Sequence, residues 1–296
     1  MIRTYVFILG IFVTATSVAF ASPQGLHSID TNWLAKHLSD KQLVVIDMSD
    51  QTQYQRFHIP GARFLPYNAL NRVNKSGVSL STDDKTIQQI LSYLGIMPES
   101  QIIIYDDMGG LNAARLYWEL EKIGHKSFSI LDGGLVKWIL EGRPVVNKQA
   151  QYTRTSYPSF KRDQKNNIDL AKLQTSISQR KTVLLDVRSK DEYTGHPQQK
   201  RSGHIPGAKW WEWSNGVNFD NQFTLTSKQE LTQQLSTLGI QNKDQDIVVY
   251  CQSGHRATHA FYSLRRLGYK NVRVYDGSMA EYSRIPSQAL KPGLQP

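Results

Sequence analysis

The chain repeats itself, and this internal repeat is the feature that most limits its fold. Five short segments recur in the same order: LVVID at 43–47 and VLLD at 183–186, FHIPGA at 57–62 and GHIPGA at 203–208, SYLGI at 92–96 and STLGI at 236–240, IIYD at 103–106 and VVYC at 248–251, and ILDGG at 130–134 and VYDGS at 274–278. A period of about 140 residues has the length of a domain and exceeds that of a solenoid repeat. The sequence therefore predicts two similar domains in tandem.

Each half alternates short apolar runs with helical patterns. In the second half, strands are predicted at 183–187, 247–250 and 272–275, and helices at 227–238 and 257–267, with Gly268 as the C-cap. Strands separated by helices of this length indicate an α/β fold, with a parallel sheet and helices on both faces of each domain. We predict domains at 22–146 and 168–290, joined by a polar linker at 147–167.

The only cysteine of the sequence, Cys251, ends an apolar run and precedes a short loop and a helix predicted to start near Ala257. Backbone N–H groups and the helix dipole at such a position stabilise a thiolate, which is the nucleophilic form of cysteine. Arg256 adds a permanent cation. The alternative is an inert, buried cysteine, which is the ordinary state of a lone thiol.

The composition and the net charge of the chain bear on the kind of partner that it binds. The 296 residues are 40% hydrophobic and 20% charged, which is typical of a globular protein, and the formal net charge is +10. No motif for nucleic-acid binding accompanies this charge, so it indicates either attraction to small anionic substrates or no specific role.

The first 21 residues have the pattern of a secretory signal. Arg3 precedes an apolar stretch, and Ala19-Phe20-Ala21 resembles a cleavage site. A retained anchor is the alternative, but the apolar run is short and contains Thr14, Thr16 and Ser17. We expect an exported protein, periplasmic or secreted and free of the membrane after cleavage. A lone thiol in an oxidising compartment is either buried or kept for chemistry.

Together these motifs resemble the tandem-domain rhodanese family of sulfurtransferases, of the thiosulfate and 3-mercaptopyruvate type. In that family the N-terminal domain is usually inert, which agrees with Asp106 at the position equivalent to Cys251. Four residues separate Cys251 from Arg256. Protein tyrosine phosphatases have a longer loop there, because a tetrahedral phosphate must fit, so a phosphatase or arsenate reductase is disfavoured.

The resemblance implies catalysis by a Cys251 persulfide, with thiosulfate or 3-mercaptopyruvate as sulfur donor and cyanide or a thiol as acceptor. It implies no metal or organic cofactor. The predicted substrate-binding residues are those of the loop and one arginine at a neighbouring strand end: Gln252, Ser253, Gly254, His255, Arg256 and Arg188. A binding module without catalysis is the alternative function.

Several side chains near this site have two interpretations each. Arg256 either stabilises the thiolate or only pairs with an acid, and Arg188 either contacts the donor or pairs with Asp191 or Glu192. The animal-type enzymes have an arginine where this chain has Glu192, which would repel a dianionic donor if it faced the pocket.

Further residues are predicted to be mainly structural. The aromatic residues Trp210, Trp211 and Trp213 either wall the site or pack in the core. Ser278 is a candidate hydrogen-bond donor to the loop. His58 and His204 of the repeated His-Ile-Pro-Gly-Ala motif are expected to satisfy backbone groups.

Overall fold

The computed structural model describes residues 27–179, 181–199 and 201–296. The predicted signal segment, 1–21, lies outside these residues. In the part of the chain that is described, no helix is both long and apolar enough to cross a membrane.

Short strands and helices alternate along both halves. The strands of the described residues are β1 Ser28–Ile29, β2 Leu43–Asp47, β3 Arg63–Phe64, β4 Asn71–Val73, β5 Ser79–Ser81, β6 Gln101–Tyr105, β7 Phe128–Leu131, β8 Val183–Asp186, β9 Lys209–Trp210, β10 Val217–Asn218, β11 Thr224–Leu225, β12 Ile247–Tyr250 and β13 Val272–Val274. The α-helices of these residues are α1 Thr31–His37, α2 Gln51–Arg56, α3 Asp84–Tyr93, α4 Ala113–Ile123, α5 Gly134–Leu140, α6 Leu170–Gln179, α7 Lys190–Thr194, α8 Lys228–Thr237, α9 His255–Arg266 and α10 Ser278–Tyr282. Single turns of 3-10 helix occupy Tyr67–Leu70 and Trp213–Gly216.

Two parallel sheets form the centres of the two halves. Within the described residues, the first sheet has the order β1-β7-β6-β2-β3 and the second the order β13-β12-β8-β9. All strand pairs in these two sheets are parallel. Each half also has a small antiparallel hairpin, β4-β5 in the first and β10-β11 in the second. The predicted fold class is therefore confirmed.

Each sheet is covered by apolar side chains on both faces. On β6, Ile102 and Ile104 join the large core that α4 and α9 share, whereas Ile103 and Tyr105 join a separate cluster on the opposite face. The second half repeats this alternation on β12, whose opposite face packs in a third cluster. The large core runs from one half into the other, so α4 and α9 hold the two domains together by apolar burial.

The repeated His-Ile-Pro-Gly-Ala motifs are structural, as predicted. The Nδ1–H group of His58 donates to the carbonyl of Tyr54, and His204 makes the same bond to Tyr193. In both halves the tyrosine ring stacks on the histidine, with centroids 3.9 and 3.8 Å apart.

Two sequence expectations differ from the structure in detail. Helix α9 begins at His255, two residues before the predicted start, because Gly254 has a φ of 83° and ends the loop there. Arg256 therefore lies in the first helical turn. The segment 147–167 is irregular but packed: Thr155 bonds to Ser92, and Arg162 forms an ion pair with Glu119.

Candidate active site

Cys251 directly follows β12, at the carboxyl edge of the second sheet. The cysteine is 1% exposed, and its carbonyl accepts a hydrogen bond from Met279. The equivalent strand end in the first half carries Asp106, whose carbonyl accepts from Leu135 in the same way. Ligands of open α/β sheets bind at such strand ends.

The loop after Asp106 shows what this backbone shape can bind. The Asp106 carboxylate accepts hydrogen bonds from four backbone N–H groups of its own loop, at 2.7–2.9 Å: Met108, Gly110, Asn112 and Ala113. Burial raises the pKa of Asp106, and these four donors oppose that rise. The loop is therefore a backbone cradle for a negative charge.

The corresponding loop in the second half, residues 251–256, is called the cysteine loop below. Among the described residues, no acceptor is found for the backbone N–H groups of Gln252, Ser253, His255 and Arg256. Ser253, His255 and Arg256 are half-buried, and N–H groups in such places are ordinarily paired. The cysteine loop can therefore receive an anion attached to Cys251.

Ser278 supports this loop from the neighbouring strand end. Its hydroxyl accepts from the N–H groups of Cys251 and Gly254, at 3.1 and 3.2 Å, and donates to the carbonyl of Tyr275 at 2.7 Å. The prediction that Ser278 donates to the loop is wrong, because its proton is directed to Tyr275. Its φ of 50° is unusual for a residue with a side chain, and the first half has Gly134 at this place with a φ of 51°.

We expect Ser278→Ala to lower the free energy of unfolding by about 1–3 kcal/mol, because two buried N–H groups lose their acceptor. Ser278→Gly loses the same acceptor but relieves the strained backbone, so it should be less destabilised. Urea unfolding of both variants checks this. An alanine variant as stable as the parent protein would contradict the supporting role of the hydroxyl.

Arg256 pairs with an acid, Glu192, and its stabilisation of the Cys251 thiolate stays a prediction. Its two terminal nitrogens donate to the two oxygens of Glu192, at 2.6 and 2.8 Å. Glu192 also caps α7 through Ser189. Burial of Glu192 opposes ionisation, but Arg256 and Ser189 outweigh it and lower the pKa to about 2. The pKa of Arg256 is raised despite its burial, by this bond and by the charge of Cys251.

Arg188 has a different partner from those predicted. Its guanidinium donates to Asp186 in a bidentate contact, at 2.6–3.1 Å, and to the carbonyl of Gly203 at 2.9 Å. The predicted ion pair with Asp191 or Glu192 is wrong, because Asp186 lies closer, on the preceding strand end. Arg188 borders a pocket of about 380 Å³ that Gln252 also lines. Its contact with a sulfur donor stays a prediction.

The remaining predicted loop residues differ in their burial. Gln252 is exposed, Ser253 is half-buried and Gly254 is buried. His255 reaches into the first half, where its Nε2 lies 2.8 Å from the Asn112 side-chain oxygen. Burial lowers the pKa of His255 to about 4, so it is neutral at pH 7.

An ion pair that sequence reasoning missed lies beneath the cysteine loop. Arg115 of α4 donates to both oxygens of Asp276, at 2.6 and 3.2 Å, and both side chains are buried. Asp276 also accepts from the N–H group of Ser81. A side chain at Gly254 would collide with Asp276, so this pair forms the floor of the loop. Asp276 belonged to a repeated motif, but nothing in the sequence connected it with Arg115.

The predicted tryptophans pack rather than converge on Cys251. Trp210 donates to the carbonyl of Arg188, and Trp211 is buried and bonds to Gln234. Trp213 packs edge-on against His259. Within residues 27–179, 181–199 and 201–296, no group of three or more His, Cys, Asp or Glu side chains could hold a metal ion.

Two parallel-sheet domains, with an anion cradle after one strand and a cysteine at that position in the second copy, define the class of this protein. Residues 30–141 and 169–285 each match the rhodanese-like domain. The chain belongs to the rhodanese family.

Full-length relatives agree with this assignment. The chain is 32% identical over 292 residues to the sulfur carrier protein TtuD of Thermus thermophilus, covering 93% of this chain and 99% of the relative. It is 31% identical over 278 residues to a putative thiosulfate sulfurtransferase of Mycobacterium bovis, covering 90% and 97%. It is 29% identical over 271 residues to a thiosulfate sulfurtransferase of Pseudomonas aeruginosa, covering 89% and 96%.

Solved structures show the same fold. The 3-mercaptopyruvate sulfotransferase SseA from Escherichia coli aligns with a TM-score of 0.76 and 24% identity, covering 86% of this chain and 98% of SseA. EanB aligns with a TM-score of 0.79 and 20% identity, covering 90% of this chain and 69% of EanB. The predicted family and the predicted enzyme class, sulfurtransferase, are confirmed.

Proposed function

We propose that this chain moves a sulfane sulfur from thiosulfate or 3-mercaptopyruvate to cyanide or a thiol, through a persulfide on Cys251, and that it does so after export. The relatives named thiosulfate sulfurtransferase support the donor class. The N-terminal sequence pattern supports export. We expect the mature protein, isolated from the exported fraction, to begin at Ser22. A full-length protein retained in the cytoplasm would contradict export.

One observation supports a persulfide on Cys251: in the first half, the Asp106 carboxylate fills the equivalent cradle of backbone N–H groups. The oxygens of Asp106 are separated from Cα by the same number of bonds as the outer sulfur of a cysteine persulfide. The Asp106 loop satisfies these oxygens with four backbone donors. An anionic persulfide on Cys251 would therefore reach the N–H groups that the cysteine loop leaves unpaired.

The reaction balances as two displacements at sulfur. The Cys251 thiolate attacks the outer sulfur of thiosulfate, a new S–S bond forms, and the old S–S bond breaks with its electron pair leaving on sulfite. With 3-mercaptopyruvate the thiolate attacks the thiol sulfur, the C–S bond breaks, and its electron pair leaves as the enolate of pyruvate, which takes up the thiol proton. The acceptor then attacks the outer sulfur of the persulfide, and the pair returns to Cys251. With cyanide the product is thiocyanate. Helix α9 contributes its positive end to both anionic states of Cys251.

The proposal is tested by treating the protein with each donor and measuring intact mass and thiocyanate release. We expect a gain of about 32 Da, one sulfur atom, and its loss when cyanide is added. Neither an adduct nor thiocyanate with any donor would reject sulfur transfer, and stable capture of a protein partner by the same preparation would then favour a binding module.

The ion pair between Arg256 and Glu192 bears on the choice of donor. Glu192→Gln should uncover the Arg256 charge, and we expect it to raise kcat/KM for thiosulfate, a dianion, several-fold more than for 3-mercaptopyruvate. Asp191→Asn makes the same charge change on the neighbouring residue and should shift the ratio much less. An equal shift in both variants, or none in Glu192→Gln, would contradict the role of the ion pair.

The ion pair between Arg256 and Glu192 also leads to a prediction about pH dependence. The pKa of Glu192 in the folded state, about 2, lies below its ordinary value of 4.5. The contribution of the ion pair is therefore fully present above about pH 4.5 and is lost as the pH falls through about 2. We expect the donor preference of the parent protein to stay constant from pH 5 to 8, measured as the ratio of kcat/KM values. A ratio that changes in this range would assign the preference to another group.

A further inference from the structure

The first half contributes side chains to the surroundings of the cysteine loop. Tyr67 opens the 3-10 helix after β3, and its ring lies 4.0 Å from the ring of His255, measured between centroids. Asn112 holds the other side of the same imidazole. The amide nitrogen of Asn112 donates to the carbonyl of Met48, so its oxygen accepts and His255 carries its proton on Nε2. Residues of the domain without a cysteine thus set the position of a cysteine-loop side chain.

The charges around the cysteine loop bear on the protonation of Tyr67. Burial is the main cause that raises the pKa of Tyr67 to about 12; Arg115 opposes the rise, and charges at Cys251 and Asp276 add to it. The phenol therefore keeps its proton throughout the working range of pH. The side-chain amide of Asn71 donates to the backbone carbonyl of Tyr67 at 2.8 Å, which holds the 3-10 turn that carries the phenol.

The equivalent position in the second half lacks this hydroxyl. Trp213 opens the matching 3-10 helix, three residues after the end of β9, as Tyr67 does after β3. Trp213 packs against His259, which bonds to Gly109 in the loop after Asp106. The anion in that loop is the Asp106 carboxylate, which already accepts hydrogen bonds from the backbone N–H groups of its own loop. The halves therefore place a hydroxyl beside the cysteine loop and an indole beside the loop that has no thiol.

We infer that Tyr67 is a catalytic residue of the second domain, and that its hydroxyl donates a hydrogen bond to the anionic outer sulfur held at Cys251. This inference rests on the proposed sulfur transfer. Tyr67 transfers no proton: the S–S bonds form and break as described above, and the hydrogen bond from the phenol stabilises the negative charge on the outer sulfur. The domain without a cysteine thereby supplies one group of the catalytic machinery.

The test compares Tyr67→Phe with Tyr67→Ala. The phenylalanine variant keeps the ring against His255 and loses only the hydroxyl, whereas the alanine variant loses both. Removing one donor to a reacting oxyanion costs about a hundredfold or more in kcat, and sulfur is a weaker acceptor than oxygen, so we expect roughly a tenfold loss in Tyr67→Phe. The KM for the donor should change less than kcat. The rate of persulfide formation, followed by intact mass in a single turnover, should fall with kcat.

Trp213→Phe is the matched control, and its kcat should remain within about twofold of the parent protein. The pH profile of Tyr67→Phe between pH 6 and 9 should keep the shape of the parent profile, because a donor that never ionises adds no titration. A Tyr67→Phe variant with parental kcat and parental persulfide formation, or a changed profile, would overturn the inference. A parent protein that forms no persulfide would reject the proposed function instead, so the two failures are distinguishable.

Discussion

Cys251→Ser is expected to abolish thiocyanate formation from thiosulfate and cyanide. Serine preserves the volume of the side chain and the hydrogen bond from the backbone of residue 251 to Ser278, so the fold should be retained. A hydroxyl does not ionise at neutral pH and cannot form a persulfide, so we expect activity to fall by about three orders of magnitude or more. The mass gain of about 32 Da should disappear completely, because no other thiol exists in the sequence.

The control for this prediction is the stability of the variant. Cys251 lies in the shared core, and serine there exchanges a thiol for a more polar hydroxyl, so a modest loss of about 1–2 kcal/mol is expected. Circular dichroism and urea unfolding separate this loss from the loss of chemistry. Persistent sulfur transfer in folded Cys251→Ser would show that the persulfide mechanism is wrong.

Arg115→Met should be the most destabilising of the substitutions considered. The guanidinium is fully buried and neutralises Asp276, which would otherwise remain buried with the Ser81 N–H group as its neighbouring donor. Breaking a buried pair by removing one partner costs about 3–5 kcal/mol, because the remaining charge is uncompensated. We expect a loss of this size in urea unfolding, together with reduced sulfur transfer, because Asp276 lies against Gly254 of the cysteine loop.

A double-mutant cycle tests the cause of that loss. Adding Asp276→Asn to Arg115→Met removes the uncompensated charge, so the double variant should be more stable than the sum of the two single losses predicts. Lys165→Met, which breaks an exposed pair with Asp163, should change the free energy of unfolding by about 0.5 kcal/mol or less. Arg115→Met within about 1 kcal/mol of the parent protein would contradict the structural importance of the pair.

Much of the local structure could be predicted from the sequence because it depends on neighbours along the chain. The strand Ile247–Tyr250 has the predicted bounds, and α8 lies within its predicted range. The start of α9 was missed by two residues because the left-handed conformation of Gly254 permits an abrupt turn, and a helical pattern of apolar residues does not record φ.

The partners of charged groups were harder to predict because they depend on distances across the fold. Arg188 was expected either to contact the donor or to pair with Asp191 or Glu192, and its acid partner is in fact Asp186. Glu192 was expected to repel a donor if it faced the pocket. It lines the pocket that Arg188 borders, and its carboxylate there is paired with Arg256. Arg188 and Arg256 lie near several acids at the edge of the second sheet, and only the packing decides which of these charged groups meet.

The sequence by itself determined the duplication, the alternation of strands and helices, and the position of Cys251 at a strand end opposite Asp106 in the repeat. These features follow from the hydrophobic periodicity and from the order of the residues, both of which recur in the two halves. The tertiary structure decided that the Asp106 carboxylate fills its own backbone cradle, that Arg256 is held by Glu192, and that Arg115 and Tyr67 of the first half reach the cysteine loop of the second. These contacts join residues of distant elements, and packing α4 against α9 around one shared core brings them together.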